Sequence, residues 1–426
     1  YSWFTNDIPL AEGVELALFA DDAATLVRKY GYPCEIHRVY TEDGYILEMH
    51  RIPRSQAINT DIQRPVVFLQ HGILSSSAEW VLMTPGSGLA YILADAGYDV
   101  WMGNARGNTY SRHHVTLRPE NPEFWKFSWH EIGYYDMPAM LDYALKETGS
   151  SKLQYIGFSQ GTTVFWVLMS LRPEYNDKVL AMQALAPIGY VGNIRSPLIR
   201  KVLKLLGANE FLPNGALNVL AGQKLCTAEA VTQFLCTNAL FLICGYNEDQ
   251  LNKTMLPIVM GHTPAGSSTR QLIHFGQLYK SEKFRQFDYG WIKNKFTYGS
   301  FKPPTYNLSA ITTPIYLHYG ANDWLSTQAD VDKLAKEIKS VIGKFRVPFD
   351  KFNHLDFVFA IDAKKLIYDR LLNIMNNFIK LNTPFFSSLT HTQWTRHPHG
   401  ESMECLEICL LPPPFLCLGE HVIPSG

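Results

Sequence analysis

The sequence has 426 residues, of which 46% are hydrophobic, 13% aromatic and 18% charged. This composition predicts a globular chain that buries a large core, as one elaborated domain or two small ones. The formal net charge is −1, so the chain lacks the basic surplus with which nucleic-acid-binding proteins displace counterions from phosphates. It contains no run of roughly 18 consecutive apolar residues, which excludes a predicted transmembrane helix.

Short apolar runs rich in β-branched and aromatic residues alternate with helical patterns along much of the chain. The apolar runs predict buried strands at residues 65–70, 98–102, 153–158, 179–185 and 314–319. The helical patterns lie at residues 88–96, 135–147, 162–171 and 364–379. Because parallel strands are connected by crossover helices, this alternation predicts a mostly parallel central sheet with helices on both faces.

The alternation stops between about residues 187 and 302. Helical periodicity continues there at residues 199–206, 228–243 and 269–279, interrupted by Pro and Gly. We therefore predict a helical cap or lid inserted between two strands of the sheet. The predicted core has two parts, residues 1–186 and 303–381. The insertion is residues 187–302, and residues 382–426 form a tail.

The tail is rich in Pro and has no sustained period, so we expect it to be poorly ordered. Its His and Cys residues match no zinc-binding spacing, and we predict neither a metal nor a cofactor. The residues considered as metal ligands are His391, His397, His399, Cys405 and Cys409.

A G-x-S-x-G pattern occurs at residues 157–161, with Ser159 at its centre. The pattern alone is also compatible with a plain strand–helix turn. Here a predicted strand precedes it and a predicted helix follows, which is the setting of a nucleophile elbow in an α/β-hydrolase fold. The helix N-terminus behind Ser159 favours developing negative charge, so we predict that Ser159 is a catalytic nucleophile.

A serine hydroxyl is a weak nucleophile and needs a base that an acid orients. In this fold the acid and the histidine follow the serine in that order. Asp323 lies just after the predicted strand 314–319, where open α/β sheets place their sites, whereas the rival acids Asp330 and Asp332 lie in a helical pattern and are expected to be solvated.

The predicted base is His354, which follows a strand-like stretch at residues 345–349. It lies 31 positions beyond Asp323, a plausible strand–helix–strand interval. The other downstream histidines all lie in the tail. Position in the chain therefore selects His354.

The turn after the first predicted strand, residues 70–74, is where this fold supplies an oxyanion-hole amide. The second amide comes from the residue after the nucleophile. We predict the backbone N–H groups of Ile73 and Gln160, preferring Ile73 over Leu74. The alternative explanation of this motif is a tight turn that requires Gly72, and such a turn is compatible with the oxyanion role.

Seven cysteines are too few for a disulfide scaffold, and none forms a C-x-x-C pair. Cys226 and Cys236 are ten positions apart, which suits either one local bridge or two buried thiols. Asn252 and Asn307 begin N-x-S/T triplets, which indicate a secretory glycoprotein unless they occur by chance. No signal peptide can be read in this sequence, which begins at Tyr1.

Several motifs in a fixed order resemble those of the acid lipases, the family of gastric and lysosomal acid lipases and their insect relatives. The resemblance covers roughly residues 22–380. The motifs are YGYP at 30–33, TEDGYIL at 41–47, LQHG at 69–72, DAGYDVW at 95–101, GNARGN at 103–108, SQGT at 159–162 and NHLDF at 353–357.

The resemblance implies a secreted or lysosomal glycoprotein with a hydrolase core and a helical lid. Its implied substrates are neutral lipid esters at a lipid–water interface, namely triacylglycerols and in some members cholesteryl esters. It also implies a disulfide between Cys226 and Cys236, with Cys244 a free thiol. The family commonly has His before the nucleophile, where this chain has Phe158.

Two other functions are compatible with parts of this pattern. A carboxylesterase for small soluble esters uses the same triad, although an apolar lid over an apolar pocket favours a lipase. A non-catalytic lipid-binding protein on a lipase scaffold is the other, and such a protein has no need to retain Ser159, Asp323 and His354.

Overall fold

The computed structural model describes residues 22–56, 63–197, 199, 210–211 and 240–382. Its strands are β1 Glu35–Tyr40, β2 Tyr45–Ile52, β3 Val66–Gln70, β4 Asp99–Gly103, β5 His113–His114, β6 Leu153–Phe158, β7 Val179–Leu185, β8 Glu210–Phe211, β9 Ser267–Ser268, β10 Ile315–Tyr319 and β11 Val341–Arg346.

The helices of the described residues are α1 Ala23–Lys29, α2 Leu89–Asp95, α3 Trp129–Glu131, α4 Met137–Thr148, α5 Gln160–Leu171, α6 Leu256–His262, α7 Thr269–Ser281, α8 Trp291–Tyr298, α9 Gln328–Glu337, α10 Asp356–Phe359 and α11 Asp369–Asn382. Two π-helical turns, Ile132–Asp136 and Lys364–Tyr368, directly precede α4 and α11. Within the described ranges, every helix is too short or too polar to span a lipid bilayer.

The central sheet has nine strands, of which eight follow the order β1-β2-β4-β3-β6-β7-β10-β11. The strands from β4 to β11 in this order run parallel, whereas β2 is antiparallel to both of its neighbours in the order. The short β5 pairs with β2, and β8 pairs with β9 in a separate two-stranded sheet. The predicted mostly parallel sheet is confirmed.

Alternate residues of the inner strands point into two different hydrophobic cores. In β3, Val66 and Phe68 belong to one core and Val67 and Leu69 to the other. The first core also contains residues of α4, α5 and α9, and the second contains residues of α1, α2 and α11. Helices therefore cover both faces, as predicted. Since burying one large apolar side chain contributes about 1.5–3 kcal/mol, continuous apolar strands are stable only when covered on both sides.

The five predicted strands are confirmed to within one residue at each end. The predicted helix at 269–279 is α7, and the helix predicted at 364–379 begins with a π-helical turn before α11. The strand-like stretch placed at 345–349 is wrong, because the strand is β11 and ends at Arg346. Pro348 has no N–H for a ladder hydrogen bond, which favours the earlier end. Most residues of the two helices predicted at 199–206 and 228–243 lie outside the described part of the chain.

The antiparallel edge formed by β1 and β2 was not predicted. Along β1 only Val39 is buried, and β2 mixes apolar residues with Glu48, His50 and Arg51. Such strands lack the continuous apolar run from which the other strands were predicted. Arg51 helps to hold the edge in place, because its guanidinium bonds Asp99 of β4 at 2.7 Å and Glu35 of β1 at 2.8 Å.

Arg106 is a fully buried cation, 1% exposed, in the loop after β4. Its Nε donates to Asp136 Oδ1 at 2.7 Å, and its two terminal nitrogens donate to Asp43 at 2.6 and 2.8 Å. The backbone N–H of Arg106 donates to the other oxygen of Asp136 at 2.9 Å. The guanidinium also lies 4.0 Å from the centre of the Tyr45 ring. This network connects the β2 edge, the β4 loop and the start of α4.

We expect Arg106→Met to lower the free energy of unfolding by about 3–5 kcal/mol, because Met keeps the apolar stem but leaves the Asp136 carboxylate buried without its cation. The side chain of Asp136 is 0% exposed. Lys364→Ala is the control, since the Lys364–Asp369 pair is about half exposed and contributes at most about 1 kcal/mol. Urea denaturation measures both; equal, small losses would contradict a structural role for the buried cation.

Candidate active site

Ser159 occupies a sharp turn between β6 and α5. Its φ is +52° and its ψ is −117°, a conformation that non-glycine residues rarely adopt. The two glycines of the pattern permit it: a Cβ on Gly161 would lie 2.1 Å from the carbonyl oxygen of Gln70, and one on Gly157 would lie 2.8 Å from the backbone of Gly161. The turn therefore needs Gly at both positions for steric reasons.

The structure brings together the three residues predicted to form a triad. His354 Nε2 lies 2.8 Å from Ser159 Oγ, and His354 Nδ1 lies 2.8 Å from Asp323 Oδ2. All three side chains are buried, with Ser159 6%, His354 4% and Asp323 1% exposed. In this chain of hydrogen bonds, Nδ1 of a neutral imidazole donates to the carboxylate and Nε2 is free to accept the serine proton.

The loop after β10 fixes the Asp323 carboxylate. Its Oδ1 accepts the backbone N–H groups of Leu325 and Ser326, each at 2.8 Å, and this leaves Oδ2 for His354. Ser326 is held in turn, because its hydroxyl donates to the carbonyl of Pro187 at 2.7 Å. The buried carboxylate thus has three donors, which compensate for its lost hydration.

The expectation that Asp330 is solvated is wrong, since it is 2% exposed. Asp330 lies in the first turn of α9, where its carboxylate accepts the backbone and side-chain N–H groups of Asn193, both at 2.9 Å, and the hydroxyl of Thr327 at 3.1 Å. Helical periodicity identifies the face of a helix, but it does not show that a loop packs against the first turn. Asp332 is partly exposed and pairs with Lys344, as a solvated acid does.

The loop that carries Ile73 passes directly beside Ser159, because a Cβ on Gly72 would lie 3.3 Å from Ser159 Cβ. Leu74 has a φ of +62°, and its carbonyl accepts the N–H of Ala265 at 2.7 Å. On the other side, Gln160 is the first residue of α5, where a backbone N–H has no intrahelical acceptor. The two predicted oxyanion amides thus belong to residues that flank the same serine.

Glu79 lies below this loop and was not considered in the sequence analysis. It is 3% exposed, its Oε1 accepts the N–H of Gly72 at 3.3 Å, and Ser75 bonds its side chain. Burial raises the pKa of Glu79 to about 8, against the opposing effect of these two hydrogen bonds. The carboxyl is therefore neutral in mildly acidic solution. The sequence feature that could have identified Glu79 is its position between two apolar residues, Ala78 and Trp80.

A second acid, Asp356, holds the loop of His354. Its Oδ2 accepts the N–H of Asn353 at 2.7 Å and the side-chain amide of Asn247 at 2.6 Å. Burial raises the pKa of Asp356 to about 6, and the nearby negative charge of Asp323 adds to the rise. The carbonyl of Cys244, three positions before Asn247, accepts the N–H groups of Trp324 at 3.2 Å and His354 at 3.4 Å. The segment 244–247 therefore connects the two loops that carry Asp323 and His354.

A cavity of about 340 Å³ opens at Ser159 and His354. Its wall is mostly apolar, and much of it comes from residues between 240 and 272. The apolar side chains of that segment that line the cavity include Leu240, Phe241, Leu251, Met255, Val259, Met260 and Leu272. Such a cavity suits an apolar substrate with few polar groups.

Some of the other predicted site residues lie outside the described part of the chain. Cys226, Cys236 and the five tail residues considered as metal ligands are not among the described residues. Cys244 is a buried free thiol at the cavity, and burial raises its pKa. Asn252 is half-buried at the cavity wall and Asn307 is exposed. Over the described ranges, no group of three or more His, Cys, Asp or Glu side chains is placed to hold a metal ion.

Comparison with known proteins shows the family of the chain. Residues 65–360 match the family described as alpha/beta hydrolase fold, and residues 23–84 match the partial alpha/beta-hydrolase lipase region. The chain is 46% identical to Lipase 3 of Drosophila melanogaster over 367 residues, which are 84% of this chain and 93% of the relative. The chain belongs to the acid lipase family.

Two human members show the same likeness. Gastric triacylglycerol lipase is 39% identical over 362 residues, covering 82% of this chain and 90% of the relative. Lysosomal acid lipase/cholesteryl ester hydrolase is 38% identical over 366 residues, covering 84% of this chain and 91% of the relative. The predicted α/β-hydrolase fold and the predicted family are thereby confirmed.

Phe158, where the acid lipase family commonly has His, packs against the triad. Its ring centre lies 5.1 Å from that of His354 and 6.5 Å from that of Phe357. An apolar ring at this position shields the imidazole from water without offering it a competing hydrogen bond. The departure from the family pattern is therefore compatible with the geometry of Ser159 and His354.

We expect Glu79→Gln to flatten the dependence of stability on pH. The folded-state pKa of Glu79, about 8, lies above the ordinary value of 4.5, so the contribution of this carboxyl to stability is full below pH 4.5 and falls as pH rises towards 8. The fall is about 1.4 kcal/mol per pH unit, and Gln removes it because its amide does not titrate.

Urea denaturation between pH 5 and 8 measures this slope for each protein. Glu337→Gln, an exposed position on α9, is the control and should keep the wild-type slope. A Glu79→Gln slope equal to that of wild type would show that the buried carboxyl is not protonated in the folded state.

Proposed function

We propose that the protein is a lipase that cleaves neutral lipid esters through an acyl-enzyme intermediate on Ser159. The observation that carries the proposal is the hydrogen-bonded series Ser159–His354–Asp323, with 2.8 Å at each link, at the wall of an apolar cavity. The names of the relatives support the substrate class, since they include a triacylglycerol lipase and a cholesteryl ester hydrolase.

In the proposed reaction, His354 Nε2 takes the proton of Ser159 Oγ as that oxygen attacks the ester carbonyl. Asp323 holds the imidazole in the required tautomer and stabilises its positive charge. The carbonyl oxygen becomes an oxyanion, to which the N–H groups of Ile73 and Gln160 donate. The carbon–oxygen bond to the alcohol then breaks, and the alcohol takes the proton from His354.

The second half of the reaction repeats these roles with water. His354 removes a proton from a water molecule, whose oxygen attacks the acyl carbonyl. The tetrahedral intermediate collapses, Ser159 recovers its proton from His354 and the fatty acid leaves. The proton thus moves only between groups that lie within hydrogen-bond reach of His354, and the reaction requires no cofactor.

We further propose that residues 187–302 form a cap whose apolar side chains cover the cavity. Three observations support this. Leu240, Met255 and Leu272, among others from this segment, line the cavity. The N–H of Ala265 donates to the carbonyl of Leu74, which follows Ile73 in the loop after β3. The Gln160 side chain donates to Gln271 of α7 at 2.6 Å. A cap that contacts Gln160 and the neighbour of Ile73 can couple substrate access to catalytic geometry.

A secretory or lysosomal location is also proposed, on the strength of relatives whose names are gastric and lysosomal. In that setting we expect Cys226 and Cys236 to be bridged, Cys244 to remain a thiol and Asn252 and Asn307 to carry glycans. The burial of Cys244 supports its remaining a thiol, and the exposure of Asn307 supports a glycan at that position.

We expect Ser159→Ala to reduce hydrolysis of a triacylglycerol by about 10⁴-fold or more with little change in stability, because the reaction loses its nucleophile. An active-serine phosphonate should label the wild type and not the variant. Ser170→Ala, on the same helix α5, should keep both activity and labelling. Activity of Ser159→Ala within tenfold of wild type would exclude the assignment.

The cap predicts a dependence on the physical state of the substrate. The rate on one ester should rise steeply once its concentration passes the solubility limit, because a lipid surface offers a new partner to the apolar face of the cap. Rates measured below and above that limit test this. Simple saturation through the limit, with no added activity on the emulsion, would favour a carboxylesterase with a fixed wall.

A further inference from the structure

Helix α8 has the reverse of the usual distribution of polar and apolar side chains. Its only buried residue is Asn294, 1% exposed, whereas Trp291 is 67%, Ile292 54% and Phe296 87% exposed. Phe301, in the turn that follows, is 55% exposed, and its ring centre lies 6.1 Å from that of Trp291. A helix that packs on a protein core buries its apolar face; this one presents it to the surroundings.

We name Trp291, Ile292, Phe296 and Phe301 the 291–301 patch. Among the described residues, every exposed Trp or Phe side chain belongs to it. Single exposed apolar side chains are ordinary on protein surfaces, but a cluster that contains every exposed Trp and Phe of the described surface indicates a binding surface.

The buried polar residue beneath the patch holds it in place. Asn294 Oδ1 accepts the N–H of Tyr289 at 2.9 Å, and its amide nitrogen donates to Asp288 at 2.8 Å and to the carbonyl of Phe301 at 3.1 Å. The hydroxyl of Tyr298 donates to the carbonyl of Phe287 at 2.8 Å. These bonds fix both ends of α8 and the turn of Phe301. The backbone that carries the patch is therefore held in a defined conformation.

Lysines alternate with the aromatic residues. Lys293, Lys295 and Lys302 are exposed, and in the part of the chain that the structure describes none has a carboxylate within salt-bridge distance. Residues 280–302 contain six basic and two acidic residues, a charge of +4 in a chain whose net charge is −1. Amphipathic surfaces of this kind, with Trp and Phe beside Lys, are typical of segments that bind an anionic lipid surface.

We propose that the 291–301 patch docks the enzyme onto a lipid surface that carries anionic amphiphiles. The aromatic side chains would enter the boundary between head groups and acyl chains, and the lysines would contact the anionic head groups. A second copy of the chain is a poorer occupant, because two identical basic patches would repel each other. The proposal deepens the proposed function, since fatty acids released by lipid hydrolysis are themselves anionic amphiphiles.

The test uses the full chain with Ser159→Ala as background, so that binding is measured without turnover. Vesicles of phosphatidylcholine alone and of phosphatidylcholine mixed with phosphatidylserine are compared by flotation. We expect binding to the mixed vesicles that weakens as salt rises. Phe296→Ser should weaken it about tenfold, and Lys293→Glu combined with Lys295→Glu about tenfold or more.

Matched controls separate the patch from general surface effects. Ile342→Ser removes an exposed apolar side chain, 56% exposed, from the edge strand β11, and Lys339→Glu reverses an exposed charge elsewhere. Both should leave vesicle binding unchanged. In enzyme with Ser159 intact, Phe296→Ser should leave hydrolysis of a dissolved ester unchanged and lower the rate on an anionic emulsion.

Three outcomes would overturn the proposal. Binding to mixed vesicles that survives Phe296→Ser and the double charge reversal would place the docking surface elsewhere. Equal losses in the Ile342→Ser and Lys339→Glu controls would mean that no particular patch is used. A dimer that dissociates on Phe296→Ser in sedimentation, with vesicle binding unchanged, would assign the patch to a second copy. Because binding is measured without catalysis, a failure of the lipase proposal is distinguishable from each of these.

Discussion

Close contact between the first turn of α5 and the end of β3 is the constraint on which the candidate site depends. The α carbon of Gly161 lies so near the carbonyl of Gln70 that no side chain fits between them. This contact fixes Ser159 at a positive φ, which turns its hydroxyl away from the sheet and towards His354. The same contact places the loop of Ile73, which follows Gln70, beside the serine. The candidate nucleophile and both candidate oxyanion residues therefore depend on one tight packing contact in the backbone.

Four buried acids discussed above differ in their environments. Asp323 and Asp330 each accept several N–H groups, which replace the hydration that the buried carboxylates have lost. Glu79 and Asp356 have fewer donors relative to their burial, and their pKa values are raised to about 8 and about 6. Both of these groups stabilise the folded state more in acid than at neutral pH.

Two buried histidines have the opposite effect. Burial lowers the pKa of His71 to about 4 and that of His318 to about 3. Because the unfolded chain binds protons more readily at these positions, their contribution to stability is lost as pH falls from about 6.5. The pH of maximum stability is set by the balance of these groups. Buried acids and buried imidazoles thus change the stability in opposite directions as pH varies.

Much of this arrangement could be predicted from the sequence, because steric and periodic constraints leave a local signal. Gly157 and Gly161 mark the turn, and the apolar runs before Ser159 and Asp323 mark strands that are buried on both faces. Contacts between distant segments leave no such signal. Asp330 looks like a surface residue of a helix until Asn193 packs against it, and Glu79 looks like an ordinary turn residue until the loop of Gly72 covers it. The edge strand β1 contains several polar residues because solvent reaches it, so its sequence pattern resembles that of a loop.

The sheet order also determines when in folding the site can form. Ser159 and His354 are 195 positions apart, and the strands before Asp323 and His354 are the last two in the sheet order. Among the described strands, β11 has a partner on one side only, and its burial alternates between half-buried and exposed. Loss of this one edge strand from the sheet would remove one of the supports of the His354 loop while the inner strands remain paired. The proposed catalytic arrangement therefore depends on an edge strand of the parallel region, and it can be lost while most of the secondary structure persists.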